Sequence, residues 1–266
     1  RMPIAKNGDV EVFYEVTGSG PPLVLIMGLG ADHSVWELHR EAYARHFQCI
    51  AIDNRGVGKT SKPVGSYTTA DMARDVLAVM DDAGVQRAHV AGISMGGAIA
   101  QQVCLQAPER VRSLVLVSTW ARLPSFHRTV FEHFKSVRAH TKPGDFMRCL
   151  QLWVWGPAYF EKNGTDLETA RRDASQNPAP QPQYAFEAQC DACISHDTLD
   201  RLGEIKVPTL VTIGLEDIFT PFELSQALHN AIAGSELLKF PGCAHTHHWE
   251  DLDKFNSETL RFMQRH

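Results

Sequence analysis

Residues 88–100, Ala-His-Val-Ala-Gly-Ile-Ser-Met-Gly-Gly-Ala-Ile-Ala, decide the fold of this chain of 266 residues. The apolar residues before Gly92 are typical of a strand, and those after Gly97 are typical of a helix. A strand that turns at once into a helix strains its corner residue and brings neighbouring segments too close for side chains two positions away. Glycines at 92 and 96 remove those side chains. The Gly-x-Ser-x-Gly pattern therefore predicts a nucleophile elbow, with the Ser94 hydroxyl above the carboxyl end of a sheet. A glycine-rich turn with an incidental serine is the alternative for the pentapeptide alone.

Strand-like and helix-like segments alternate along the chain on both sides of the elbow. Short apolar or β-branched runs predict strands, and apolar residues at helical spacing predict helices. Such alternation is typical of an α/β fold with a mostly parallel, twisted sheet flanked by helices. The predicted strands are 10–16, 23–27, 49–52, 85–91, 111–118, 208–213 and 237–240, and the predicted helices are 34–47, 68–84, 95–107, 221–233 and 249–264.

The alternation stops between residues 121 and 203. This part of the chain is rich in aromatic residues, has no clear strand pattern and is interrupted by the proline-rich stretch 175–182. We therefore predict a helical cap at 121–203, inserted into one α/β core that consists of 1–120 and 204–266.

Two further residues complete the chemistry that the elbow serine needs. A serine hydroxyl is a poor nucleophile near neutral pH and needs a base, which in turn needs an acid to orient it. In this kind of fold the chain order is serine, acid, histidine. Asp217 follows the strand at 208–213, and His245 follows the strand at 237–240, so both side chains leave the same sheet edge as Ser94. These three residues are the predicted catalytic triad.

Each partner of the serine has a rival nearby. Glu216 adjoins Asp217, but it is expected to point away from the position that Asp217 takes. His247 and His248 crowd His245. We interpret His247 as a solvated or cap-contacting residue at the start of the last helix, and His248 as a candidate support for the catalytic loop.

An oxyanion formed on the substrate needs two backbone donors. The Met95 N–H, at the start of the helix after the serine, is one candidate. The second is expected from the loop after the first parallel strand, Met27-Gly-Leu-Gly30, where we choose the Leu29 N–H. A plain glycine-rich connection is the alternative for this loop.

With these residues placed, the chain resembles the α/β-hydrolase superfamily over nearly its whole length. Within it, the chain is similar to the lactonase and esterase group that includes 3-oxoadipate enol-lactonases. The resemblance implies a cofactor-free hydrolase with Ser94, Asp217 and His245 as its triad. Many relatives carry His where this chain has Met27, which makes the pocket floor less polar here. The matching segments are Gly28-Leu-Gly-Ala-Asp-His-Ser-Val-Trp36, Asp53-Asn-Arg-Gly-Val-Gly58, Gly92–Gly97, Gly214-Leu-Glu-Asp217 and Gly242-Cys-Ala-His245.

Composition and charge exclude several classes of partner. The formal net charge of −5 provides no basic surface for nucleic acid. The longest apolar run, Leu23–Met27, is far shorter than the roughly 20 residues of a membrane span. The six cysteines, including the pair Cys190-x-x-Cys193, are interpreted as free thiols in a reducing cytoplasm. The expected partner is a small-molecule ester or lactone, and the expected assembly is a monomer or a homodimer.

Two motifs suggest other chemistry, and we reject both. Gly56-Val-Gly-Lys-Thr60 matches the end of a phosphate-binding loop, but that motif needs a glycine at position 53, where this chain has Asp. We interpret Asp53 and Arg55 as an ion pair that holds a structural loop. The histidine-rich loop 245–248 resembles a metal site, but adjacent histidines on one short loop do not readily converge on one ion. Neither a cofactor nor a metal is therefore expected.

Aromatic residues in and near the inserted segment are candidates for the substrate pocket. Their density favours an apolar acyl group, although each of them could simply belong to the core of the cap. Arg122, at the entry to the cap, could bind a substrate carboxylate or be a solvated surface residue. The candidate pocket residues are Trp120, Arg122, Leu123, Phe146, Trp153, Trp155, Tyr159, Phe160 and Phe219.

These observations predict a serine carboxylic-ester hydrolase that opens lactones or cleaves short to medium acyl esters through an acyl-enzyme. Enol-lactones and acyl-homoserine lactones are both compatible with the sequence. Two alternatives stay open. The same triad could transfer an acyl group to peroxide or cleave a C–C bond, or the fold could be a small-molecule receptor with little turnover, against which a complete triad argues.

Overall fold

The computed structural model describes residues 3–266, which form one eight-stranded sheet with helices on both faces. The strands are β1 (Ile4–Asn7), β2 (Val10–Thr17), β3 (Pro22–Ile26), β4 (Gln48–Ile52), β5 (Ala88–Ile93), β6 (Val111–Val117), β7 (Thr209–Gly214) and β8 (Glu236–Phe240). Their order across the sheet is β1-β2-β4-β3-β5-β6-β7-β8. The pairs β1–β2 and β2–β4 are antiparallel, and the other pairs are parallel. The predicted α/β class with a mostly parallel sheet is confirmed.

Ten α-helices are present in residues 3–266. They are α1 (Glu37–Tyr43), α2 (Thr69–Asp82), α3 (Met95–Gln106), α4 (Ser125–His140), α5 (Pro143–Val154), α6 (Pro157–Gln176), α7 (Gln183–Ser195), α8 (Phe222–Ala231), α9 (His247–Glu250) and α10 (Leu252–Gln264). Apolar residues of α2, α3 and α8 pack on one face of the sheet, and those of α1 and α10 pack on the other. Within the described residues, no helix combines the length and the apolar character that a membrane span requires.

The carboxyl ends of the central strands lie side by side. Ile93 at the end of β5 pairs with Val117 at the end of β6, and Val117 pairs with Thr212 of β7. Phe240 at the end of β8 pairs with Gly214 at the end of β7. The loops that follow these strands therefore meet at one edge of the sheet, which is where ligands bind in open α/β sheets.

Residues 125–195, which we call the helical segment, contain α4 to α7. The proline at the start of α5 and of α6 occupies a position where its missing N–H costs nothing. Strand pairing in the predicted 121–203 insertion is limited, in the described part of the chain, to an isolated bridge between Arg122 and Asp197. Cys190 and Cys193 are buried free thiols on α7.

Several element boundaries differ from the predicted ones, most visibly in β1, β5 and α1. The first strand, β1, was not predicted, because its four residues are too few to show a pattern. The strand predicted at 85–91 is Ala88–Ile93 instead, because the Val85 N–H donates to Met80 O and closes the end of α2. The helix predicted at 34–47 is a 3-10 turn at His33–Trp36 followed by the short α1.

Candidate active site

Ser94 stands at a strained corner between β5 and α3. Its φ of 55° lies in the left-handed region, which residues other than glycine rarely adopt. A Cβ at Gly92 would meet the Gly96 carbonyl oxygen, and a Cβ at Gly96 would meet the Ile26 carbonyl oxygen, so both positions require glycine. The corner is held by the Thr119 hydroxyl, which donates to Ser94 O at 2.7 Å. The predicted strand–serine–helix geometry is present at this position.

Asp217 lies in the loop after β7, and its side chain is fully enclosed. Oδ1 accepts the N–H groups of Phe219 and Thr220, each at 2.8 Å. Oδ2 accepts the Thr220 hydroxyl at 2.8 Å and lies 2.8 Å from His245 Nδ1. The rival carboxyl, Glu216, is exposed. Because four hydrogen bonds fix the Asp217 carboxylate, it presents one orientation to the histidine.

The loop that carries His245 is held from several sides. The Ser118 hydroxyl donates to His245 O at 2.8 Å. The Ala244 N–H donates to Glu250, and the Thr246 N–H and hydroxyl both donate to Val154 O in the helical segment. These bonds fix the loop backbone, so the ring position depends on β6, α9 and α5 together.

The hydrogen bonds of His245 define which ring nitrogen is free. Nδ1 faces the Asp217 carboxylate, which only accepts, so the shared proton resides on Nδ1 and leaves Nε2 as an acceptor. Within residues 3–266 no hydrogen bond joins this ring to the Ser94 hydroxyl. Such bonds are often long or poorly aligned before a substrate binds. Ser94 and His245 are each 5% exposed.

The predicted oxyanion donors are two backbone amides, Leu29 in the loop after β3 and Met95 at the start of α3. Among the hydrogen bonds of the described residues, the N–H groups of Leu29 and Met95 have no acceptor. The loop with Leu29 passes close to the serine, because a Cβ at Gly28 would lie 3.7 Å from Ser94 Oγ. Two unpaired amides beside a hydroxyl form a place where negative charge can be stabilised.

Thr220 and Ser118 also contact the Asp217–His245 pair or its loop, and neither residue was predicted from the sequence. The Thr220 hydroxyl lies 3.0 Å from His245 Nδ1 and 3.0 Å from Ser118 O, in addition to its bond with Asp217. Ser118 has a φ of 46°, so it too is strained. The position of Thr220, three residues after an aspartate, was a usable signal because such side chains form local hydrogen bonds. Nothing in the sequence marks Ser118.

The interpretation of His247 as a solvated or cap-contacting residue is wrong. Its side chain is fully buried, with Nδ1 3.1 Å from the Ser118 hydroxyl and Nε2 2.9 Å from the Thr212 hydroxyl. Burial lowers the pKa of His247 to about 3, so the ring is neutral. The short helix α9 turns this residue inward between β6 and β7. His248 is also buried and lies 3.1 Å from His39.

The expected ion pair between Asp53 and Arg55 is also wrong. Arg55 binds Asp75 on α2 at 2.6 and 2.7 Å. Asp53 accepts the backbone N–H groups of His33 and Lys59, each at 2.8 Å. The carboxylate and the guanidinium therefore have separate partners, and Arg55 joins its loop to α2 while Asp53 joins it to the backbone of His33 and Lys59. Asp32, His33 and Asp53 also bring three potential metal-ligating atoms within 4.8 Å of one another.

The predicted pocket residues divide into two groups. Phe219 packs against the His245 ring at 4.9 Å between centroids and continues into the helical segment through Phe131, Phe134 and Trp153. Trp120, Leu123 and Phe146 are buried in the same core, with Trp120 against Phe131 and Phe146 against Phe134. Trp155 instead stacks on Tyr159 at 3.8 Å and on Trp249 at 5.6 Å between ring centroids. Phe219 thus contacts the histidine, whereas Trp155 and Tyr159 form a separate aromatic stack. Phe160 is partly buried on α6.

Arg122 does not offer a free charge. It is partly exposed, and its guanidinium donates to Asp197 at 2.6 Å and to Asp200 at 2.8 Å. Two carboxylates already neutralise this cation, so these contacts do not support the prediction that it binds an anionic substrate.

Comparison with known proteins identifies the relatives of this chain. The family model described as "alpha/beta hydrolase fold" matches residues 21–252. A protein of Azorhizobium caulinodans named "Putative carbamate hydrolase RutD" is 34% identical over 262 residues, which cover 98% of each chain. The enol-lactonase from Burkholderia xenovorans LB400 is a similar solved structure, with a TM-score of 0.90, 26% identity and coverage of 98% of this chain and 100% of that one.

A second solved structure has a related activity in its name. Est816, described as an N-acyl homoserine lactone degrading enzyme, has a TM-score of 0.84 and 27% identity, and covers 97% of this chain and 99% of its own. Two lactone-acting enzymes and a protein named as a putative carbamate hydrolase thus stand among the proteins that this chain resembles.

Proposed function

The chain belongs to the alpha/beta hydrolase fold family, and from that premise we propose that it is a serine hydrolase of lactones or short to medium acyl esters, working through an acyl-enzyme. One observation carries the proposal: the buried His245–Asp217 pair, 2.8 Å between Nδ1 and Oδ2, at the sheet edge where the strained Ser94 stands. The pair leaves the other ring nitrogen free to accept a proton. That is the arrangement a serine nucleophile requires.

The proposed reaction has two halves. His245 Nε2 takes the Ser94 proton as the hydroxyl oxygen attacks the substrate carbonyl, and the oxyanion accepts the N–H groups of Leu29 and Met95. His245 then gives the proton to the leaving alcohol, while Asp217 stabilises the charged ring. Water attacks the acyl-enzyme with the same histidine as base and frees the serine. In a lactone the leaving alcohol stays tethered to the acyl group.

The substrate class is inferred from what surrounds the histidine. Phe219 covers the His245 ring, and Phe131, Phe134 and Trp153 extend that apolar surface into the helical segment, which we propose to be the cap. An apolar acyl group fits such a surface better than a sugar or a peptide. The lactone-acting relatives at 26% and 27% identity support the same class. The six free cysteines support action in the cytoplasm.

Carbamate hydrolysis is a second candidate, favoured by the name of the relative that is 34% identical. A carbamate carbonyl can be attacked by the same serine and stabilised by the same amides. The two candidates differ in the leaving group, because a carbamate is a poorer acyl donor than an ester. Transfer to peroxide and C–C cleavage are further reactions of such a triad.

A substrate panel tests the proposal. p-Nitrophenyl acetate and butyrate, γ-butyrolactone, N-hexanoyl homoserine lactone and ethyl carbamate are compared, with and without peroxide. We expect the highest kcat/KM for an ester or a lactone and complete loss of turnover in Ser94→Ala. Ser257→Ala, at an exposed position on α10, is the matched control and should match the wild type.

The outcomes separate the candidates. A carbamate preference favours the second candidate, and a peroxide-dependent product favours acyl transfer. Stoichiometric acylation without steady turnover indicates a receptor. Unchanged ester hydrolysis in Ser94→Ala overturns the proposal.

A further inference from the structure

The loop with the proposed oxyanion donor is fixed at both ends by the core. We call residues 27–33 the oxyanion loop. At its start, Asn54 Nδ2 donates to Met27 O at 2.7 Å. At its end, the His33 N–H donates to Asp53 Oδ1 at 2.8 Å. Both partners come from the loop after β4, so the core alone determines where the oxyanion loop begins and ends.

The middle of the oxyanion loop is held by the helical segment instead. The Gly30 N–H donates to Gln189 Oε1 at 2.9 Å, and Gln189 Nε2 donates to Arg55 O at 2.8 Å. Gln189 lies on α7 and is fully buried. Gln181 supports it, because its Nε2 donates to Gln189 Oε1 at 3.1 Å and to Gly56 O at 2.9 Å. One buried amide thus joins two core loops to α7.

Peptide geometry explains why this bond matters for the neighbouring amide. Each peptide unit is planar. Fixing Met27 O and the Gly30 N–H fixes the peptide planes on either side of the one that carries the Leu29 N–H. The Leu29 N–H then has little freedom to change direction. The loop that carries it passes close to Ser94. Without the bond at Gly30, the middle plane is held only by the long 3.5 Å bond from the Ala31 N–H to Gly28 O, while the ends of the loop stay anchored.

We propose that Gln189 is a positioning residue that couples docking of the helical segment to formation of the oxyanion hole. The inference rests on the proposed function, since it assumes that the Leu29 N–H binds an oxyanion. The amide must both accept from Gly30 and donate to Arg55, and it does so across 159 and 134 positions of chain. A displacement of α7 therefore removes the acceptor of Gly30, so the oxyanion hole is complete only when the helical segment is in place.

Gln189→Met tests the coupling, because methionine has a similar length but neither hydrogen-bonding group. The matched control is Gln183→Met on the same helix, since Gln183 bonds only Lys135, Arg138 and Glu187 within the helical segment. We expect Gln189→Met to lower kcat for p-nitrophenyl acetate by about 10- to 100-fold, with KM within about threefold of wild type. Phosphonylation of Ser94 by a fluorophosphonate should slow in parallel. Gln183→Met should match the wild type in both assays.

Hydrogen exchange gives a readout that does not depend on activity. Peptides that cover residues 27–33 should exchange faster in Gln189→Met than in Gln183→Met. If Gln189→Met does not fold, Gln189→Glu keeps the acceptor for Gly30 and loses the donor to Arg55, and a smaller fall in kcat is expected. An unchanged kcat in folded Gln189→Met, or an equal fall in Gln183→Met, overturns the inference. A wild type that reacts with neither probe counts against the proposed function, and exchange at 27–33 then still decides whether Gln189 anchors the loop.

Discussion

Two serines follow neighbouring strands at the same height of the sheet and share an unusual backbone. Ser94 follows Ile93 of β5, Ser118 follows Val117 of β6, and those two preceding residues pair. Their φ angles are 55° and 46°, the only positive values outside glycine in residues 3–266. The two positions are therefore alike in strand register and in strain.

The serines differ in what their hydroxyls contact. The Ser118 hydroxyl donates to His245 O at 2.8 Å and lies 3.1 Å from His247 Nδ1. The Ser94 hydroxyl makes no hydrogen bond within the described residues, and it stands at the start of α3, where the helix dipole favours negative charge. Strand register and backbone strain are therefore not enough to define the role of a serine. The two hydroxyls differ because one is used in structural hydrogen bonds and the other is left free.

The largest expected effect comes from Ser94→Gly. Loss of the nucleophile should lower kcat by a factor on the order of 10⁶. Glycine adopts a positive φ without strain, so the free energy of unfolding should rise by about 1 kcal/mol. Steady-state assays and urea unfolding measure the two effects. A less stable Ser94→Gly protein would contradict the strain at this corner.

Asp217→Asn tests whether the carboxylate orients the proposed base, His245. An amide can donate to His245 Nδ1 and so place the ring proton on the wrong nitrogen, and kcat should fall by about 10⁴. The control is Glu216→Gln at the exposed neighbouring carboxyl, which should keep wild-type kcat. Equal losses in the two variants would count against Asp217 as the orienting acid.

Ser118→Ala tests the hydroxyl that supports the histidine loop. The buried His245 carbonyl loses a donor, so we expect kcat to fall about tenfold through misplacement of the ring, and the free energy of unfolding to fall by about 1–3 kcal/mol. Ser225→Ala is a matched control, because that hydroxyl is equally buried and has no hydrogen-bond partner in residues 3–266. The idea fails if both variants lose the same activity.

His247, the neutral ring beside Ser118, is expected to have the smallest effect near neutral pH, because its contribution to stability changes only in acid. Its pKa of about 3 in the folded protein lies below the usual 6.5, so between these pH values the unfolded chain binds a proton that the folded protein does not. Stability due to this group is full above pH 6.5 and is lost as the pH falls toward 3. The expected slope is about 1.4 kcal/mol per pH unit. In His247→Gln, urea unfolding at several pH values should show a pH dependence weaker by that amount. His46→Gln, at an exposed histidine, should keep the wild-type slope.

The α/β class could be predicted from the sequence because the class depends on local patterns of apolar residues. The Gly-x-Ser-x-Gly corner, the helix predicted at 68–84 and most strands were visible in short windows of sequence, and the structure contains them. Ser94, Asp217 and His245 were chosen as a group because each follows a predicted parallel strand, and residues after parallel strands meet at one edge of the sheet. Their catalytic role stays a prediction that the variants above test.

Local sequence patterns could not predict the contacts between residues that are far apart in the chain. Arg55 pairs with Asp75 on α2 and not with Asp53, although Asp53 is only two positions away in the chain. His247 was predicted to be solvated because nothing local shows that α9 turns inward. Gln189 and Gly30 are 159 positions apart, and no spacing rule connects them.

The sequence by itself determined the fold class and the strained corner, because backbone sterics and hydrophobic periodicity act over a few residues. Packing in three dimensions sets which of the two strained serines keeps a free hydroxyl, that His247 is buried and neutral, and that α7 holds the oxyanion loop. Those outcomes depend on how hydrogen-bonding groups from separate elements pair once the sheet and the helical segment are packed together.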